Sequence, residues 1–300
     1  MKQLVVILGA AGASFSAVFA RWSTESSVFL TFWRLLLTAV LLLPSVWHHR
    51  EELKRLTVKS ALLCAASGVF LSLHFLTYFE SLRHTSIAAA VTLVNTEVFF
   101  VAVGSVLFLK YRMSARAWAA ILLTFGGSVM VALTGAADGG TFSGNLLALM
   151  SGLLMTGYTV IGAVCRRKLS TTIYTVLVYG TAAGTMLIAA LVTSTPVLGS
   201  APKNYLLALG MAVVCTLMGH SIYSWGLKYL PPAYISTVKL LDPVFSAGWG
   251  LLFFLERLSG TMIVGGAAVI CGVALYIRIT GKEAAHSAVG GRQMEKERSV

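Results

Sequence analysis

Apolar residues run along this chain in long blocks, with no sustained alternation of apolar and polar positions. Blocks with few charges lie at roughly 3–21, 28–47, 59–81, 85–109, 115–135, 144–165, 170–193, 204–227, 231–255 and 259–279, each near the ~20 residues that a helix needs to cross a bilayer. They predict ten helices. A stretch such as Leu35 to Leu43 is apolar on every face, whereas a transmembrane β-strand alternates apolar and polar residues over about ten positions. From about 282 the pattern stops, and the polar, Gly- and Ser-containing segment 282–300 is expected to be a disordered, solvated tail.

Composition narrows the class. With 57% apolar residues, 11% charged residues and a mean hydropathy of +0.82, the chain has too little polar side chain to cover a soluble globule, which excludes an ordinary soluble enzyme. A net charge of +12 would suit nucleic acid if it formed one basic face, but the 23 Lys and Arg residues sit in short clusters between apolar blocks. Ten crossings put both ends on one side. On that basis 17 Lys and Arg residues fall on the side of the termini, four on the other side and two, Arg34 and Lys239, within helices. Such a bias marks the cytoplasmic face, so both termini are expected in the cytoplasm of a multi-pass protein of the cell membrane. The first block lacks a clear small-residue cleavage site and reads as a retained helix. Cys64, Cys165, Cys215 and Cys271 each fall singly in an apolar block and read as packing residues.

The chain also resembles itself. An offset of 146 residues superposes the third to fifth blocks on the eighth to tenth, bringing His74 onto His220, Val98 onto Val244, Phe99 onto Phe245 and Gly104 onto Gly250. It also matches the charged turn at Lys110 with that at Glu256. The first and sixth blocks align with an offset near 143. A five-helix unit is odd, so a second copy enters the membrane from the opposite side. The expected architecture is therefore an all-α membrane protein of two inverted five-helix repeats, 1–140 and 141–281, followed by the tail. Such symmetry permits two packings, one open to each side, around a site near the midplane.

The second block, FLTFWRLLLTAVLLL with Trp33-Arg34, and the passage TVKLLDPVFSAGWGLLFFLERLS in the ninth resemble the ten-helix, EamA-type branch of the drug/metabolite transporter superfamily. The first half departs from the pattern, with Glu97 where Pro243 stands and LKYRMS where LERLS stands. The resemblance extends to about residue 280. It implies a carrier of small molecules, commonly an exporter. It says little about cargo, because the superfamily moves amino acids, nucleotide-related metabolites and drugs.

A charge at the bilayer centre costs about 2.5–3.5 kcal/mol on insertion scales, so intramembrane charges mark candidate sites. Glu97 and Asp242 each lie about eleven residues into a helix, and the 146-residue offset sets Asp242 on Thr96, beside Glu97. Lys239 stands three residues before Asp242 and shares its helix face, and Pro243 interrupts that helix. Two readings stay open: a structural pair of Lys239 with Asp242 or Glu97, or a substrate and proton site. In the second, Glu97 is the first choice for the proton because Asp242 already has a neighbouring cation. Lys239 would take a carboxylate, and Asp242 or Glu97 an amine, which suits an amino-acid-like cargo; amphipathic compounds are the alternative. Arg34 is expected to snorkel outward or pair with Glu80, with substrate contact as the alternative. His74 and His220 are candidates for a gate or proton relay. As repeat mates they are expected on opposite sides of the midplane, too far apart to share a metal. Trp33, Tyr78 and Trp249, together with Tyr158, Trp225 and Tyr234, are candidate cavity aromatics, with packing the competing role. Small-residue spacings such as Gly180 to Gly184, Gly12 to Ser16 to Ala20, and Gly265-Gly266 to Gly272 read as close helix contacts.

The chain carries no HExxH, GxSxG or phosphate-cradling Gly-Lys-Ser motif, so a membrane enzyme is disfavoured. A channel would need a filter or charge ring. The reading is a secondary active exporter of small metabolites working by alternating access and coupled to protons, with an uncoupled facilitator or exchanger as the alternative. It calls for a small-molecule substrate and a bilayer, and for no cofactor, metal or nucleic acid.

Overall fold

A computed structural model of the chain describes residues 2–279, apart from 112, 138–140, 256–258, 262, 273 and 277. The predicted tail at 282–300 lies outside the described residues, as does Glu256 of the repeat's second turn.

Among the described residues all regular structure is helical. Helices α1 (Lys2–Ser14) and α2 (Ser16–Trp22) form one apolar rod, followed by α3 (Ser27–Trp47), a short exposed α4 (Arg50–Lys54) and α5 (Val58–Ser81). Then come α6 (Ile87–Val94), α7 (Glu97–Leu109), α8 (Ala115–Ala137), α9 (Phe142–Cys165) and α10 (Thr171–Val192). The next rod consists of α11 (Pro202–Gly210), a π-helical stretch at Met211–His220 and α12 (Ser221–Gly226). Helices α13 (Pro232–Lys239) and α14 (Asp242–Phe254) precede a last apolar helix, α15 (Ile263–Tyr276). Seven of these rods are long and apolar enough to cross a membrane, and Glu97–Leu109 and Ile263–Tyr276 are shorter apolar helices. The molecule is an all-helical, multi-pass membrane protein.

Local chemistry sets many of the helix ends. Ser26, Thr57, Ser86, Thr141 and Ser170 each accept a hydrogen bond from the backbone N–H three residues on, supplying one of the acceptors that a helix start lacks. Helices α7 and α14 both end in a left-handed residue, Lys110 at φ 56° and Leu255 at φ 55°.

The fourth block is expected as one helix, but it is broken at Asn95-Thr96, and the ninth is broken at Leu240-Leu241, just ahead of Pro243. The two breaks match in detail. Helix α13 starts and ends 145 residues after α6, and α14 starts and ends 145 residues after α7. In this region the structure thus sets Asp242 on Glu97 itself, one residue away from the register that sequence identities suggest. Those identities joined apolar residues that recur by composition, whereas the break is fixed by backbone geometry.

Helix α5 packs along α9, α10 lies against α3 and α5, and α1 lies against the π-helical stretch. Small residues allow the closest approaches: a Cβ at Gly68 would sit 2.6 Å from the Val178 carbonyl oxygen, and one at Gly152 2.6 Å from that of Val94. Gly12 and Gly272 also face close neighbours. Gly180 and Gly184 do not, since a Cβ on either meets nothing within 4 Å; that spacing lies away from any helix contact.

Candidate functional site

The two breaks meet in the middle of the bundle. In the first, the backbone tightens into three-residue turns, Thr96 N–H to Leu93 O (3.1 Å) and Phe99 N–H to Thr96 O (3.1 Å). The side chains of Asn95 and Thr96 donate back to Val91 O (2.8 Å) and Leu93 O (2.7 Å). Both carbonyls already accept a backbone N–H, Asn95 N–H at 3.0 Å for Val91 O and Thr96 N–H for Leu93 O, so each side chain adds a second donor there. The second break repeats the turns, with Leu241 N–H to Val238 O and Val244 N–H to Leu241 O. Pro243 has no N–H, so the counterpart of the Val98 N–H to Asn95 O bond cannot form there.

Each break ends with an acid at the start of the following helix, Glu97 for α7 and Asp242 for α14. Lys239, the last residue of α13, donates to Glu97 Oε1 at 2.9 Å, and both side chains are buried. The lysine thus reaches across to the other half of the chain, and the acid three residues further on, across the break from it, is not its hydrogen-bond partner. Two buried carboxylate oxygens are left without a hydrogen bond, Glu97 Oε2 and Asp242 Oδ1.

These groups face a cavity of about 40 Å³ lined by Ala13, Ser16, His74, Phe75, Tyr78, Val91, Val94, Asn95, Glu97, Met155, His220, Tyr223, Lys239 and Asp242. A water molecule needs roughly 10–15 Å³ on this measure, so the cavity holds a few waters and must widen for a metabolite. His220 Nδ1 and Tyr223 Oη are also buried and unpartnered. An unpaired polar group away from water costs about 1–3 kcal/mol, and four around one cavity make a site prepared for a polar guest.

Of the sequence candidates, Glu97, Lys239, Asp242, Tyr78, His74 and His220 all border this cavity. The histidine rings are 6.4 Å apart, centre to centre, so they are not held far apart as expected of repeat mates. Helix α5 and the π-helical stretch bring them together. His74 Nδ1 lies 3.0 Å from the Ser151 carbonyl and 2.8 Å from its hydroxyl, which holds one ring in place. No group of three or more His, Cys, Asp or Glu suited to a metal occurs among the described residues.

Arg34 neither snorkels nor pairs with Glu80. It is fully buried and bonded to Thr216 Oγ1 (2.7 Å) and Ser16 Oγ (2.6 Å), with its guanidinium 3.9 Å from the centre of the Phe75 ring. Glu80 instead accepts from Ser27 and lies near Arg83 and His84. Trp33 points away from the cavity and donates its indole N–H to Val197 O at 2.7 Å. Trp249 donates to Ser14 Oγ at 2.9 Å and packs against Phe15 with ring centres 4.3 Å apart and planes tilted by 35°, outside the cavity lining. The structure places Pro243 in the first turn of α14, where a missing N–H is tolerated.

Tyr223, Asn95, Ser16, Phe75 and Ala13 are site residues that sequence reasoning missed. Asn95 had a signal, a polar amide in an apolar block beside Glu97. The others looked like ordinary helix residues.

The bundle differs on the two sides of the cavity. Toward the end where α1 and α10 begin, Tyr158 Oη meets Ser224 Oγ (2.7 Å), Tyr174 Oη meets Ser67 Oγ (2.8 Å) and Tyr179 Oη meets Ser221 Oγ (3.0 Å). Arg166, buried there, donates to Ser224 O (2.8 Å), Thr171 Oγ1 (2.5 Å) and Leu169 O, tying α9, α10 and α12 together. At the opposite end a polar pocket of about 450 Å³ opens between the α2–α3 and α5–α6 loops, with Leu30, Phe79 and Leu82 among its lining.

A family model of EamA-like transporters matches the chain over residues 1–133 and again over 142–278. The chain belongs to this family. Among curated relatives, the pseudopaline exporter CntI of Pseudomonas aeruginosa strain UCBPP-PA14 is 26% identical over 205 residues, 68% of this chain and 70% of the relative. A transporter of Archaeoglobus fulgidus is 27% identical over 260 residues, 82% of this chain and 86% of the relative. A solved crystal structure at 17% identity superposes with a TM-score of 0.70 over 92% of this chain and 97% of its own length, which shows a shared fold. As an EamA-like transporter the chain moves small molecules across a lipid bilayer.

Proposed function

We propose that this EamA-like transporter is a secondary active exporter that moves a small metabolite by alternating access and couples it to protons through Asp242. The carrying observation is the cavity at the two helix breaks. The Lys239–Glu97 pair joins the halves of the chain there, and Asp242 Oδ1 lies buried without a partner. A carboxylate in that position is stabilised by a proton or by a cationic group on the cargo and is costly with neither, which links the two flows. The groups around it are Lys239, Glu97, His74, His220, Tyr78 and Tyr223, with Arg34 behind.

In this reading the bundle is ten crossings in two inverted five-helix repeats, 1–140 and 141–281, with both termini cytoplasmic. Support comes from the two matched breaks, the family match over each half and the Lys and Arg bias. The tyrosine–serine contacts and Arg166 close the cytoplasmic side, and the 450 Å³ pocket is the outer vestibule. Export follows the pseudopaline exporter's name and the family's commoner habit.

The test is reconstitution of the purified chain in proteoliposomes, with a thermal-shift screen choosing the cargo. Wild type is expected to show counter-flow of labelled cargo and uphill transport driven by a pH gradient. Asp242→Asn is expected to keep counter-flow and lose the gradient-driven accumulation. If Asp242→Asn behaves as wild type, Asp242 is not the coupling residue; if wild type ignores the gradient, the chain is an uncoupled facilitator. Ohmic single-channel currents would exclude the carrier altogether.

A further inference from the structure

Arg34 is the described cation whose burial the transport reading leaves unexplained. Its exposure is 0%, and its hydrogen-bond partners are two neutral hydroxyls, Thr216 Oγ1 through Nε and Ser16 Oγ through Nη1. One face of the guanidinium rests on Phe75, with Phe79 further off at 5.9 Å. The Nη2 corner is buried and has no partner. A guanidinium carries five N–H donors and a charge that cannot be shed by deprotonation. Buried arginine is therefore ordinarily matched by an anion, and removing that anion costs several kcal/mol.

No carboxylate among the described residues supplies the match. Glu97 is held by Lys239, Glu25 by Ser200 and Asn204, and Glu80 by Ser27, while Glu51 and Glu52 sit at the exposed α4. Asp242 is close enough to interact electrostatically with Arg34 but is not bonded to it. Meanwhile Ser16, Phe75 and His220 border both the cavity and the arginine's surroundings. The π-helical stretch carries Thr216 to the guanidinium and His220 to the cavity wall from within about one turn of chain. Such bulges recur at functional sites because they re-aim side chains out of a regular ladder.

We infer that Arg34, with the Ser16 hydroxyl beside it, is a binding subsite for a small monovalent anion that enters from the central cavity. The chemistry fits a carboxylate carried by the cargo or a free halide. The planar fork of the guanidinium favours the carboxylate, because two N–H groups can grip two oxygens. Only that arm rests on reading the cavity as the cargo site; a halide site would stand without it.

The test uses the full chain purified in detergent. Its thermal unfolding is followed by tryptophan fluorescence while sodium acetate or sodium bromide is titrated at constant ionic strength held with sodium sulfate. A ligand that binds only the folded state raises Tm saturably. A saturable rise with acetate alone identifies a carboxylate subsite, and one with bromide alone a halide site. Arg34→Gln is expected to weaken the response roughly tenfold or more, the loss of a charge-assisted contact, and Arg34→Lys to retain part of it. If the arginine variants do not fold, Ser16→Ala, which leaves the charge in place, is expected to shift the midpoint several-fold. The inference is overturned by the absence of any saturable rise in wild type, or by an unchanged response in Arg34→Gln or Ser16→Ala. It is also overturned if Asp242→Asn restores an Arg34→Gln variant to wild-type stability, since the two would then be a latent ion pair. Counter-flow is scored separately. An anion response without counter-flow sinks the carrier reading alone, and counter-flow without an anion response sinks this inference alone.

Discussion

At the break between α6 and α7, Asn95 and Thr96 turn their side chains back onto the carbonyls of Val91 and Leu93; at the break between α13 and α14, the same two positions are Leu240 and Leu241. The backbone turns are alike in the two places, and so are the lengths of the flanking helices. The chemistry differs. The first break gives two of its carbonyls a second, side-chain donor and ends at an acid held by a lysine from the other half. The second supplies that lysine, lacks the polar side chains and carries Pro243 after an acid with an unpartnered oxygen. A shared frame has thus been given one break whose acid is paired with a lysine through one oxygen and one whose acid has no lysine bonded to it. Both acids keep a buried oxygen without a partner, and at the second no bonded cation competes with a proton or cargo group.

Removing the cation that joins the two breaks should have the largest effect. Lys239→Met leaves Glu97 buried beside no cation, and breaking a buried pair in this way costs about 3–5 kcal/mol. The expected result is a large drop in Tm and loss of transport. Adding Glu97→Gln should recover most of the stability while transport stays lost. Recovery of neither would mean that the lysine acts through something other than Glu97.

The close approach that shapes the first break comes next. A Cβ at Gly152 would press on the Val94 carbonyl, so Gly152→Val should destabilise by the ~1–3 kcal/mol typical of overpacking. Gly180→Ala in the neighbouring α10, where a Cβ meets nothing, should be neutral or slightly stabilising by helix propensity. Equal effects on thermal unfolding would show that contact at Gly152 is not what sets the break.

The smallest effect should come from copying one break into the other. Asn95→Leu reproduces Leu240 at the equivalent position and removes one side-chain bond to Val91 O, worth about 0.5–1.5 kcal/mol. Tm should fall modestly, and amide exchange at the α6–α7 junction should rise. A wild-type exchange profile would show that the backbone turns hold the break without help from Asn95.

Much of the fold was legible in the chain because a bilayer imposes a length and an apolar composition that survive in one dimension. The helix caps at Ser26, Thr57, Ser86, Thr141 and Ser170 follow rules that act over three residues. The charges without a place in the topology, Arg34, Glu97, Lys239 and Asp242, were visible for the same reason, since a charge in an apolar block has to be accounted for. The break in the fourth helix was not legible, because no proline marks it. Asn95 and Thr96 look like ordinary polar residues until their side chains are seen donating to carbonyls at the break.

What the sequence determined by itself is therefore the class of molecule, the helices and a short set of buried charges. Tertiary structure decided which charges are partners. Lys239 is three residues from Asp242 in the chain, yet it bonds to Glu97, 142 positions away, because the helix breaks leave the two ends of α13 and α7 facing each other. His74 and His220 meet, and Arg34 settles on Phe75 among neutral hydroxyls, through the same long-range packing. Spacing along a helix fixes what shares a face; only the assembled bundle fixes what that face meets.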